Sequence, residues 1–189
     1  MVGVEGDRIG PEAWVGAAYQ ALARDGEAAV AVEPLARALG VTKGSFYHHF
    51  ADKDALWTAV LADFEARGTE DLIAATGAID DPRRRLPSLF TAVWDSPGKL
   101  RAHRALLGSR RPDVVACLER VHARRRGFLV RCYRELGLPD DRAEHLAAAA
   151  YAVFLGAVLL VDQPPFDRVE TLHPWVETIT GLLLPPVTG

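Results

Sequence analysis

The sequence predicts an all-α protein, and three observations carry that expectation. Apolar residues recur at three- and four-residue spacing through almost the whole chain. No stretch alternates strictly between apolar and polar residues across turn dipeptides, as paired strands would. Gly and Pro fall mostly between the periodic segments, where helices start and stop. With 189 residues, 49% hydrophobic and 25% charged, the chain has a globular composition. Its length suits one domain, or a small module fused to a larger one.

The first helix is expected from about Pro11 to Arg24, with Trp14, Ala17, Ala18, Ala21 and Leu22 on one face and Asp25-Gly26 as its stop. Glu33-Pro34 opens a short second helix that ends at Gly40. Thr42 caps a third, spanning about residues 43–50, and Asp52 caps a fourth that runs through Leu56, Val60 and Phe64 to about Gly68. Asp81-Pro82 and Ser96-Pro97 are N-cap/N1 pairs, where the missing N–H of Pro has no helical partner to lose. Pro112 begins a long helix that stops at Leu136-Gly137. Asp141-Arg142-Ala143-Glu144 has the spacing of a capping box. Asp167-Arg168-Val169-Glu170 repeats it, but Pro174 is expected to break that segment. The last helix then spans Pro174 to Leu184, giving about nine in all.

Charge is segregated along the chain. The formal net charge is −3, yet residues 1–66 carry −5, residues 67–82 carry −3, residues 83–134 carry +11 and residues 135–189 carry −6. The acidic ends suggest that the basic middle pairs with its flanks or forms a solvated face. The residues after Met1 have neither a basic nor an apolar stretch of the secretory kind. The longest uncharged run, Leu146–Val161, has 16 residues, short of the ~20 that span a bilayer. A cytoplasmic protein with no membrane partner is expected. Cys117 and Cys132 fit no zinc or redox spacing and fall on apolar positions of one helix, as reduced core thiols would. His48-His49 is too close-set for a helical zinc pair, and no carboxylate pair, nucleophile–base set or phosphate loop stands out. No catalytic residue, metal or cofactor is expected.

Residues 32–50 carry the functional signal. Two short helices joined at Gly40 have the shape of a helix-turn-helix. In the second, Phe46 and Phe50 lie four apart and face the core. At ~100° per residue the opposite face is Gly44, Ser45 and His48, flanked by Lys43 and Tyr47. A small, polar outward face suits a helix whose first turns enter the DNA major groove. Gly44 permits close backbone approach, and Lys43 has the reach for guanine acceptors. Thr42 and the free N–H groups of the first turn suit a phosphate oxygen, and Tyr47 and His48 have donors for phosphate or base.

The run Leu39-Gly40-Val41-Thr42-Lys43-Gly44-Ser45-Phe46-Tyr47-His48-His49-Phe50, followed by Asp52-Lys53-Asp54-Ala55-Leu56, resembles the DNA-binding signature of the TetR (tetracycline-repressor) family. Ala18, Leu22 and Gly26 extend the likeness over about residues 10–66, whereas residues 67–189 match nothing residue by residue. The resemblance implies a helix-turn-helix domain over 1–66 and an all-helical effector-binding and dimerisation domain over 67–189. It implies DNA contacts from Thr42, Lys43, Gly44, Ser45, Tyr47 and His48, with a backbone phosphate contact from Lys53. Val32 stands where the family's second helix has a Thr cap, so a side-chain cap of about 1 kcal/mol is expected to be lost.

The same resemblance implies a homodimer through the last two helices, about 141–161 and 174–184, on a palindromic double-stranded DNA operator. It also implies a small-molecule effector, with repression as the family-level expectation. The residues leave open a DNA-binding regulator without an effector, or a carrier or enzyme with a vestigial helix-turn-helix. For an effector pocket the candidates are Trp94, His103 and Arg125. Arg125 shares a helical stripe with Val114, Leu118, Val121, Phe128 and Cys132, where a charge must be paired. Its partner is either a protein acid such as Glu144 or Asp95, or an acidic or polar effector. For His103 and Trp94, core packing is the first reading and pocket lining the second.

Overall fold

The computed structural model describes residues 9–94 and 97–185, and every regular element among them is helical. α1 (Pro11–Asp25) starts on its proline, buries Trp14, Ala18 and Leu22, and ends at Gly26, whose φ of 82° favours glycine. α2 (Val32–Leu39) stops at Gly40 in the left-handed region, where the Val41 N–H donates back to the Ala36 carbonyl at 3.0 Å. α3 (Lys43–Tyr47) and α4 (Lys53–Glu65) follow. A π-helical turn, Ala66–Glu70, joins α4 to α5 (Asp71–Gly77), so the three form one continuous rod. α6 (Pro82–Trp94), α7 (Pro97–Leu107), α8 (Pro112–Glu135), α9 (Asp140–Leu159) and α10 (Val169–Leu183) complete the described chain.

Three apolar clusters hold these helices together. The first gathers Trp14, Phe46 and Trp57 from α1, α3 and α4, and continues onto α7 through Ala102 and Leu106 and onto α8 through Val114, Cys117 and Val121. The second packs Leu86, Phe128, Tyr133 and Ala147 from α6, α8 and α9. The third joins Trp94 and Leu100 to Val158, Leu172 and Val176. α8 therefore contributes its first half to the core of the helix-turn-helix and its second half to the core beyond it.

Several expectations need correction. α3 ends at Tyr47 rather than near residue 50: the His49 N–H donates to the Phe46 carbonyl at 2.9 Å, a tightened turn that redirects the chain toward Asp52 while leaving Phe50 in the core. The N-cap of α2 is Ala31, not Val32, although the absence of a side-chain cap holds for either residue. The capping box before α9 does not form. The helix begins one residue earlier behind Pro139, and Asp140 approaches Arg134 at 2.8 Å, with Glu144 at 3.8 Å. Pro174 does not break α10, which starts at Val169. Pro174 lies early in that helix on its exposed side, where the one bond it forgoes is that from its missing N–H to the Glu170 carbonyl. Ser96 lies outside the described residues, and α7 begins at Pro97 as expected.

The basic middle spends its charge on the acidic flanks. Arg85 meets Glu135, Arg101 and Arg104 meet Asp162 at 2.7 and 2.6 Å, and Arg134 meets Asp140. Arg111, Arg120 and Arg124 reach Asp54, Glu65 and Glu70 at 2.9, 2.8 and 2.9 Å, a ladder between the start and side of α8 and the rod of α4 with its π turn. Such exposed pairs add little stability each, about 0–1 kcal/mol, but they fix which faces meet. Cys117 and Cys132 are buried free thiols. By length and composition α9 would suffice to cross a bilayer, a property the 16-residue uncharged run did not predict. Here its Ala143, Ala147 and Ala150 pack into the second core.

Candidate nucleic-acid interface and interior cavity

Phe46 anchors α3. It is 0% exposed, meets Trp14 edge-on at 5.2 Å and stacks on Phe50 at 5.4 Å. Fixing that side turns Lys43, Gly44, Tyr47 and His48 outward, with Ser45 half-buried, and leaves Tyr47 54% exposed. The Thr42 hydroxyl accepts the Ser45 N–H at 3.4 Å as N-cap, which leaves its own proton free to donate. A methyl group at Gly44 would meet only Thr42 Oγ1, at 3.6 Å, so packing within the protein does not require glycine there. Lys53 is exposed in the first turn of α4, held in place because Asp52 accepts the Ala55 N–H at 2.8 Å.

Lys43 has an intramolecular partner that sequence reasoning missed. Its Nζ donates to Glu33 Oε1 of α2 at 3.0 Å. The contact holds the Glu33 carboxyl below its usual range and the Lys43 ammonium above its own. Both side chains are exposed, so the pair is exchangeable with solvent or another anion.

Beyond the helix-turn-helix lies a cavity of about 140 Å³. Trp94, His103 and Arg125 all line it. Residues that sequence reasoning had assigned to the core or not singled out complete it: Tyr19 of α1, Phe64 of α4, Gly68 and Thr69 of the π turn, and Tyr151 and Phe154 of α9. A sequence signal did exist for Tyr151, the one hydroxyl in the uncharged run Leu146–Val161. The π turn had none.

Arg125 organises this space. Its Nε donates to Thr69 Oγ1 at 3.0 Å and its Nη2 to the Gly68 carbonyl at 2.9 Å. Nη1 lies 3.4 Å from His103 Nδ1. The guanidinium carbon sits 5.5 and 5.6 Å from the rings of Phe64 and Phe154. Glu144 is not its partner, being turned to Arg134, and Asp95 lies outside the described residues. A guanidinium only donates, so His103 Nδ1 accepts and the neutral ring carries its proton on Nε2. Burial, then the charge of Arg125, holds the His103 pKa well below its usual value. The π turn also explains the Gly68 contact, since such turns free a backbone carbonyl from regular helical bonding.

The family model for bacterial regulatory proteins of the tetR family matches residues 15–60, from α1 into α4. The HTH-type transcriptional regulator BetI of Rhizobium meliloti is 32% identical over 151 residues, covering 77% of this chain and 74% of that protein. A transcriptional regulator from Rhodococcus sp. Rha1 superposes with a TM-score of 0.75 at 20% identity, over 94% of this chain and 100% of that one. A TetR transcriptional regulator from Legionella pneumophila gives 0.76 at 14%, over 97% and 99%. The chain belongs to the TetR family and is a DNA-binding transcriptional regulator.

Proposed function

We propose that this TetR-family regulator is a ligand-responsive repressor, acting as a homodimer on a palindromic operator. In this reading Thr42, Lys43, Gly44, Ser45, Tyr47 and His48 face the major groove and Lys53 grips a phosphate. The exposed polar face of α3, opposite a fully buried Phe46, supports that assignment. Residues 1–66 carry the DNA-binding work and residues 67–189 hold the effector and the partner protomer. For the dimer, the support is an unpartnered apolar surface. Ala148, Ala149, Ala152 and Leu159 of α9 and Leu182 of α10 are exposed, Leu182 by 73%.

The observation that carries ligand response is Arg125. From inside the cavity it holds Gly68 and Thr69, in the same rod whose other end bears Lys53 and packs on Phe46's core. A ligand that draws on the guanidinium alters the hold on the π turn, and hence which orientation of α4 is most populated. Two protomers so altered present their α3 helices at a spacing unsuited to successive major grooves.

The test is a DNA-binding titration by fluorescence anisotropy on an operator selected from random duplexes, with and without compounds that raise Tm. The reading predicts that stabilising compounds weaken operator binding. Compounds that stabilise the protein but leave its DNA affinity unchanged would contradict it, as would failure of all compounds to stabilise.

A further inference from the structure

The charge balance of the cavity is one-sided. Its described lining includes Arg67, Lys99 and Arg125 and no Asp or Glu. Three acids close in sequence to the turn that Arg125 holds are engaged by other arginines, Asp63 by Arg67 at 2.6 Å, Glu65 by Arg120 and Glu70 by Arg124, and the exposed Asp71 is not among the lining residues. Arg125 itself has three neutral partners and two guanidinium N–H donors left over. Two further buried groups on the cavity wall have no hydrogen-bond partner. They are His103 Nε2, on a residue 2% exposed, and the Tyr151 hydroxyl, on a residue 6% exposed. His103 Nε2 bears the ring proton, so it is a donor, and the Tyr151 hydroxyl is free to be one. A buried charge and buried donors left without acceptors are costly, and an anion bound beside Arg125 would supply acceptors for the guanidinium and the Tyr151 hydroxyl.

The rest of the wall is apolar and aromatic, with Trp94, Phe90, Leu129, Phe154 and Ile179 among its residues. We infer that the effector is a compact organic acid, an aromatic or short aliphatic monocarboxylate, whose carboxylate meets Arg125 and Tyr151 and whose apolar body fills the space toward Trp94. An apolar cavity of ~150 Å³ holds a benzene ring, so the 140 Å³ here suits a ligand of about that size carrying one small polar group. The inference rests on the ligand-responsive reading above and adds the sign of the ligand's charge.

Calorimetric titration of the full chain with benzoate and hexanoate, against benzamide, hexanamide and benzylamine, tests it. The acids are expected to bind at least about tenfold more tightly than their amides, as a charge-assisted contact gives, with benzylamine weakest. Arg125→Gln is expected to abolish that preference, bringing each acid and its amide to within about twofold of one another. Tyr151→Phe is expected to weaken the acids several-fold. Amides binding wild type as tightly as the acids, a preference for benzylamine, or no binding of either acid overturns the inference. The wild-type comparison decides even if Arg125→Gln does not fold. If neutral compounds bind and release DNA without any preference for acids, the charge assignment falls while ligand response stands. If no compound of any charge binds or alters operator affinity, both fall.

Discussion

Glu33 holds the Nζ of Lys43 at 3.0 Å on a fully solvated surface, so in the free protein the best-placed cation of α3 is partly neutralised. Removing the carboxylate both frees Lys43 and takes a negative charge away from approaching phosphates. Glu33→Gln is therefore expected to raise operator affinity a few-fold and to steepen its salt dependence by up to ~1 in log–log slope, measured by anisotropy at several salt concentrations. Phe46 is the counterpart on the inner side. Phe46→Ala is expected to cost about 3–5 kcal/mol in denaturant unfolding, because it empties a site bounded by Trp14 and Phe50. His103 and His122 add a pH dependence. Burial lowers both pKa values from 6.5, so below that pH the unfolded chain takes up protons that the folded one refuses. Stability is complete above about pH 6.5 and falls as the solution is acidified. The slope of Tm against pH should flatten in His103→Gln.

The rod of α4, π turn and α5 is the element that joins DNA face to cavity. Thr69→Val removes the acceptor of Arg125 Nε while keeping the volume, and is expected to cost about 1–3 kcal/mol and to blunt any effect of ligands on DNA binding. Measured together, unfolding and operator titration separate those two outcomes. This element also marks how far the sequence could be read. Helices bounded by glycine, proline or a capping Asp were legible, as were the outward orientation of Lys43, Gly44, Tyr47 and His48 and the placing of Trp94, His103 and Arg125 around one cavity. What escaped depends on contacts across the fold. The π turn carries no distinctive signal in its own residues, and the contacts on its Gly68 carbonyl and Thr69 hydroxyl come from Arg125 on the distant helix α8. Glu33 and Lys43 lie ten residues apart on different helices, and the helix signalled by Asp167–Glu170 runs on through Pro174 at the loss of one hydrogen bond. The expectation that Arg125 would need a partner was sound, but its partners within the protein proved to be a hydroxyl, a carbonyl and a ring nitrogen.

At the scale of the whole molecule, the proposed reading has an acidic chain bind DNA through few, well-placed cations. The +11 stretch does not supply them, since most of its arginines are tied to Asp and Glu of the flanking segments. A shallow salt dependence of operator binding follows, with Lys53→Ala lowering the slope by ~0.9 for one lost phosphate contact. The exposed apolar strip on α9 and α10 gives the proposed dimer, and Leu182→Glu with Leu159→Glu is expected to shift sedimentation from dimer to monomer and to weaken operator binding. The most direct measurement of the central claim is an operator titration of wild type and Arg125→Gln with and without the acid that stabilises the protein most. The account predicts that the acid weakens binding by wild type, while the operator affinity of Arg125→Gln, whatever its own value, does not change when the acid is added. An undiminished response in Arg125→Gln, or none in wild type, would contradict it.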